Sequence, residues 1–264
     1  MSKMSAGSLP RILAVAKNAF REAVRDRVLY NLIVFVLLIT ASAIFLGELT
    51  AGQEARVIVN LGLTAMLIFG TFIAIFVGVS LVWKEIEKRT VYAIFSKPVG
   101  RGEYIIGKFI GLSATLLLNT IVMGVGVSLA LLYVGNSSLA ASIWPTVLLI
   151  FLELTIITAV AILFSSFSTP ALSALLTFLV FVIGHFSTAL RELSRDMASE
   201  AARLLFSGLY YIMPNFSHFS FATEAANGMT PNSAMLGGSI VYAVVYNIIL
   251  ITVTVVIFSR RNFK

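Results

Sequence analysis

The sequence predicts an all-α integral membrane protein with six transmembrane helices, and three observations carry that expectation. Of 264 residues, 59% are hydrophobic and only 12% charged, whereas about a quarter of the residues in a soluble domain are charged. The mean hydropathy is +0.98. Six mostly uncharged runs approach or exceed the roughly 20 helical residues needed to cross a hydrocarbon core about 30 Å thick.

Those runs are 29–46, 57–82, 105–134, 143–167, 171–190 and 233–258, and only Lys108, near one end of the third, and Glu153, inside the fourth, put a formal charge in them. Lys and Arg are retained on the cytoplasmic side during insertion. With the N-terminus inside, the even number of spans returns the C-terminus to the same side. All but four of the 19 basic residues, namely Arg56, Arg191, Arg195 and Arg203, then lie inside. Both termini are therefore expected to be cytoplasmic. Ala41-Ser42-Ala43 has the look of a signal-peptidase site, but the basic segment before it is long for a signal sequence and the apolar run continues to Leu46, so the first span is expected to be retained.

Residues 1–28 are expected to form an amphipathic interfacial helix ahead of a six-helix domain, 29–264. Leu9, Ile12, Leu13, Ala16, Phe20, Ala23 and Val24 recur every three or four residues, with Arg11, Lys17, Arg21, Glu22 and Arg25 on the other face. Ser8 suits an N-cap and Pro10 the first turn. Such a helix lies among lipid headgroups with its cations near anionic lipid; packing on a protein partner is the alternative. Beyond the fifth span, the outer connection 191–232 is expected to be helical and re-entrant. Leu190, Leu193, Met197, Ala201, Leu204 and Leu205 keep helical spacing, and 209–213 is too apolar for water. Non-helical backbone dipping into the bilayer near Pro214 must be sheltered by protein. No internal repeat is evident, which speaks against an inverted-repeat transporter.

The cytoplasmic connection 83–104 has the chemistry of a docking element. The second span runs on past the membrane through Glu85, Glu87 and Arg89, and the segment from Thr90 to Phe95 forms a short turn of helix offering Val91, Ile94 and Phe95 to a groove. Pro98 disfavours helix at Lys97, and Gly100 and Gly102 permit a sharp reversal into the third span.

Glu85-Ile86-Glu87-Lys88-Arg89-Thr90, then Ser96-Lys97-Pro98-Val99-Gly100-Arg101, then Gly107-Lys108-Phe109-Ile110-Gly111 together resemble the cytoplasmic loop of ABC type-2 permeases, an exporter-type family. Met213-Pro214-Asn215-Phe216, followed by Gly228, is similar to that family's outer region, and Phe258-Ser259-Arg260-Arg261-Asn262-Phe263 to its usual terminus. The resemblance implies a six-span subunit of the inner (cytoplasmic) membrane that pairs with a second permease copy, as a homodimer, and with two ATPase subunits. It implies export. It also implies that the loop is the coupling helix, with Glu85, Glu87, Arg89, Thr90, Val91, Tyr92, Ile94, Phe95, Pro98 and Arg101 meeting the ATPase. ATP and magnesium are expected in that partner, and no cofactor in this chain.

Other chemistry is excluded or left open residue by residue. The stretch from Gly102 to Lys108 has the spacing of a phosphate-binding loop, but Phe109 stands where a magnesium-holding Ser or Thr is required and no strand precedes it. Gly107 with Gly111, and Gly70 with Gly78, suit close helix approach instead. A net charge of +7 suggests nucleic acid only if the basic residues share a solvated surface, and here they flank apolar runs. There are no cysteines, and His185 with His218 is too sparse for a metal site. No catalytic constellation is evident. Glu153, deep in the fourth span, costs about 2.5 to 3.5 kcal/mol as a charge. His185 and Asn119 lie at depths that could reach it, forming a candidate intramembrane polar site for substrate contact or proton linkage, or simply an interhelical hydrogen bond. Two further function classes stand beside the permease: a membrane-embedded enzyme acting on lipid or peptide, and a membrane anchor of a multiprotein complex.

Overall fold

The computed structural model of the protein describes residues 8–24, 34, 35, 38, 39, 41, 42, 45, 52–87, 100–196 and 199–260, and among them the regular structure is entirely helical. The chain begins with α1 (Ser8–Ala23), followed by α2 (Glu54–Glu87) and α3 (Arg101–Tyr133). The left-handed backbone of Gly135 (φ +80°) ends α3, and Asn136 then caps α4 (Ser137–Ser142) by accepting the Leu139 N–H at 3.1 Å. Next come α5 (Trp144–Ser165) and α6 (Pro170–His185), each opened by proline in its first turn, where no helical donor is lost. The distal connection contains α7 (Ser187–Asp196), α8 (Glu200–Ile212), a 3-10 turn (Phe216–His218) and α9 (Ala222–Ala226), before α10 (Ser233–Arg260).

The stretches Glu54–Ser80, Arg101–Tyr133, Ser137–Ser165 and Ser233–Arg260 are long and apolar enough to cross a membrane, and they match the second, third, fourth and sixth predicted runs. The chain is therefore an all-α, multi-pass membrane protein. The predicted first run, 29–46, lies mostly outside the described residues. Its described Phe35 and Ile39 are buried, and the Phe35 ring stands edge-on to Phe69 at 6.1 Å. The fifth run is shorter than predicted: α6 has 16 residues and the chain bends at Phe186. A tertiary contact accounts for the bend, because Gly184 packs under Phe216 and the Ser187 hydroxyl donates to Asn215 Oδ1 at 2.6 Å.

The core is α5, against which α2, α3, α6 and α10 all pack. Its residues from Glu153 to Ile162 are buried on every face, as expected of a helix that is apolar all round. Small residues set the spacing. A Cβ on Gly70 would meet Leu154 at 2.5 Å, and one on Gly78 would meet Ala161 at 2.9 Å, so the absent side chains let α2 approach α5 closely.

Gly107 and Gly111 also serve close approach, but the helix they admit is α1. A Cβ on Gly107 would meet Val15 and the Ile12 carbonyl at 2.7 and 2.9 Å, and one on Gly111 would collide with the Ala16 carbonyl. The contacts run in the same order along both helices, so α1 lies parallel to the first turns of α3. The expected headgroup helix thus spends one face, Ile12, Ala16, Ala19 and Ala23, on protein. Leu9 and Leu13 remain 62% and 55% exposed on another. At roughly 50 Å, given 1.5 Å per residue, α3 exceeds the hydrocarbon core by about 20 Å, which gives α1 a place to pack near its base.

The distal connection does dip into the helical domain, and its shelter is specific. Three side chains on one face of α10 each take one backbone group of the non-helical segment in antiparallel order. Tyr246 donates to the Ile212 carbonyl at 2.8 Å, the Asn215 N–H donates to the Tyr242 hydroxyl at 2.8 Å, and Ser239 donates to the His218 carbonyl at 2.9 Å. Phe216 and Phe219 are buried. The single surface helix expected before it is instead two, α7 and α8, packed on each other. Leu204 and Leu205 are exposed, and the Arg191 guanidinium of α7 sits 5.6 Å from the centroid of the Tyr210 ring on α8.

Three substitutions test this packing by thermal melting in detergent micelles. Gly111→Leu should lower stability by about 1–3 kcal/mol through overpacking, whereas Gly237→Ala, with open space around it, should leave the melt nearly unchanged. Tyr242→Phe, which strands the Asn215 N–H, should cost about 1–3 kcal/mol.

Candidate functional site

Two places bear on function: the base of the helices flanking the loop 83–104, and the buried polar pair in the bundle. At the first, α2 carries the chain out to Glu87 and α3 resumes at Arg101. Glu85 and Glu87 lie on the last turn of α2, with side chains outside what is described. Arg89, Thr90, Val91, Tyr92, Ile94, Phe95 and Pro98 lie outside the described residues altogether. Arg101 is in place, and it faces inward to the protein. Its Nη1 donates to the Ser259 carbonyl at 2.6 Å and approaches the Phe258 carbonyl at 3.4 Å, so it caps the end of α10.

Neighbouring residues extend that junction. Glu103 accepts the Gly100 N–H at 2.9 Å, closing the start of α3, and reaches Arg11 of α1 at 3.8 Å. Tyr104 is buried and stacks on Phe258 with centroids 5.8 Å apart. Lys108, 1% exposed, lies 3.7 Å from Glu22 and 5.7 Å from the Tyr104 ring centroid. Glu22 is about a third exposed, so only the Lys108 end of this pair is withdrawn from solvent. The first two turns of α3 are thereby fastened to α1 on one side and to α10 on the other, directly after the loop.

The intramembrane residues divide. Glu153 of α5 and His185 of α6 meet, with Oε1 and Nε2 3.4 Å apart. His185 Nδ1 lies 3.1 Å from the Phe181 carbonyl; a carbonyl only accepts, so Nδ1 carries a hydrogen, and Nε2 is the atom turned toward Glu153, whose Oε1 has no hydrogen-bond partner among the described residues. Phe181 and Phe216 flank the imidazole at 4.6 and 5.4 Å between centroids. Asn119 is not joined to them: it is buried on α3 with Nδ2 lacking a hydrogen-bond partner. A polar link between spans that sequence reasoning missed is Asn247 Nδ2 donating to Thr155 Oγ1 at 2.9 Å, which ties α10 to α5. The Arg101 and Tyr104 anchor was missed too, although the aromatic ending at Phe258 was a signal for it.

Among the described residues, no group of three or more His, Cys, Asp or Glu side chains is placed to hold a metal ion. The Glu153 and His185 pair can bind the two helices or pass a proton. Glu153→Leu should lower stability by about 1–3 kcal/mol by leaving Nε2 facing apolar side chains. Glu153→Gln, still able to donate and accept, should cost less, and thermal melts of the three proteins would rank them.

A probable ABC transporter permease protein NosY of Pseudomonas aeruginosa is 25% identical over 128 residues, covering 47% of this chain and 46% of that protein. The matched region thus spans about half the length of that curated relative. Across residues 13–263 the chain matches the family described as ABC-2 family transporter protein. That match takes in nearly every helix above, and the chain belongs to the ABC-2 family of transporter proteins.

Proposed function

We propose that this chain is the permease subunit of an ATP-binding-cassette exporter in the cytoplasmic membrane, driven by ATPase subunits that dock on the loop 83–104. One observation carries the mechanism: the loop is borne by two uninterrupted helices, α2 of 34 residues and α3 of 33, each long enough to cross the bilayer and project beyond it. A helix transmits displacement along its axis, so movement of the loop reaches the far side of the membrane. The fastening of α3 to α1 and α10 makes that movement collective.

Work by a separate ATPase shifts the membrane domain only if the docking contact differs between states. Val91, Ile94 and Phe95 are the apolar residues of the loop suited to a groove in the ATPase, and Glu85, Glu87, Arg89, Thr90, Tyr92 and Pro98 are the neighbouring docking residues. ATP and magnesium belong to that partner, and two permease copies pair to enclose the path. The resemblance of the loop motifs and the relative's printed designation as a permease support this assignment. Embedded catalysis is the weaker reading, because the buried polar groups among the described residues are scattered, most hydroxyls bonding their own helix and Asn119 lying apart from Glu153 and His185.

Affinity purification through a tag on this chain tests the assignment. An ATPase subunit should co-purify in stoichiometric amount. Ile94→Ala and Phe95→Ala should each weaken docking by roughly 2 kcal/mol, as anchor residues do, without moving the melting temperature of the permease. No ATPase with the wild-type chain would end the transporter reading; retention by both variants would move the docking site elsewhere.

A further inference from the structure

At the end of the bundle opposite Arg101, the exposed side of α2 departs from the lipid-like character of its other turns. Arg56, Asn60 and Thr64 follow one another at helical spacing, with Gln53 just ahead of the helix, and all four line a cavity of about 680 Å³. Polar side chains on a membrane helix face protein or a cavity that holds something polar, since acyl chains cannot satisfy them. Thr223 and Asn227, from the segment around α9, form the facing wall.

The lining is graded and one-signed. Among the described residues, Arg56 makes no ion pair and no Asp or Glu lines the cavity. The Thr64 hydroxyl donates to Asn60 Oδ1 at 3.4 Å, a contact that does not engage the two amide N–H donors of Asn60. Guanidinium and amide donors near the mouth thus suit an anion, and a planar guanidinium pairs well with phosphate or carboxylate. Deeper along α2 the same cavity is lined by Leu61, Ala65 and Ile68, which suits a hydrocarbon chain. The volume lies within the usual range for small-molecule sites.

We infer that this cleft binds an amphiphile with an anionic head, phosphate or carboxylate, its head at Arg56 and Asn60 and its chain along Leu61, Ala65 and Ile68. Binding follows from the cleft alone. Whether the occupant is cargo or a resident lipid rests on the transporter reading above.

The test uses the purified full chain, with whatever subunits accompany it, in detergent micelles, and fluorescent phosphatidylglycerol and phosphatidylcholine analogues as probes read by anisotropy. The wild type should prefer the anionic probe by about tenfold or more, the worth of one charge-assisted hydrogen bond. Arg56→Gln should abolish the preference, while Lys17→Gln, which removes an exposed cation on α1, should keep it. Leu61→Trp, filling the apolar part, should weaken both probes. Release of the anionic probe on adding ATP would mark the occupant as cargo, and retention would mark a resident lipid; each outcome supports the site. Equal binding of both probes, or a preference that survives Arg56→Gln, would overturn it. So would an Arg56→Gln variant whose only change is dissociation of a dimer, since the stripe would then be a seam between two copies. The probe-binding readouts, unlike the ATP addition, need no ATPase, so their failure is distinguishable from failure of the transporter assignment.

Discussion

A bilayer offers no water to backbone amides and carbonyls, and the fold is arranged around that constraint. Helices satisfy it within themselves, which is why the apolar runs are legible as helices at all. The segment 212–219 cannot, because Pro214 and the 3-10 turn interrupt its ladder. It is tolerated because Tyr246, Tyr242 and Ser239 stand at intervals of four and three on α10 and meet its backbone groups in turn. Phe216 and Phe219 then close the space between that segment and the spans. Without the polar face of α10, the segment would carry unsatisfied groups into an apolar interior.

Within the spans, the hydrophobic effect gives helices little reason to prefer each other over lipid, so close contact and a few polar links decide the arrangement. Gly70 and Gly78 seat α2 on α5, and Gly107 and Gly111 seat α1 on α3. The Asn247 link to Thr155 and the Glu153 link to His185 fix α10 and α6 to the central helix. α5 is accordingly the element around which the others are placed, and it is also the most uniformly apolar.

Much of this was legible in the sequence, for reasons that also mark where legibility stops. Length and hydropathy reveal a span because bilayer thickness fixes both. Gly107 and Gly111 announce a notch but not what fills it, and the filler proved to be a helix read as interfacial. Depth along the spans brought Glu153 and His185 together correctly. Depth says nothing of the direction a residue faces around its helix, and Asn119 lies apart for that reason. The bend at Phe186 has no proline or glycine after it to announce it; it is imposed by a segment nearly 30 residues later. Hydroxyls on α10 were equally ambiguous, because most hydroxyls in such helices merely bond their own backbone, as Thr252 and Thr254 do. The loop motifs resemble the family to which the chain belongs, and most of their residues lie outside the described ones.

The junction at the base of α3 has a topological result. Arg11 and Glu22 come from near the beginning of the chain and Phe258 and Ser259 from near its finish, yet all converge on Arg101, Glu103, Tyr104 and Lys108. Severing the peptide within the preceding loop would therefore leave a molecule still laced shut, its two fragments held by this knot and by the packing of α2 on α5. The same lacing brings the start of α1 and the end of α10 to one place, so that probes attached to those two helices would report on one another.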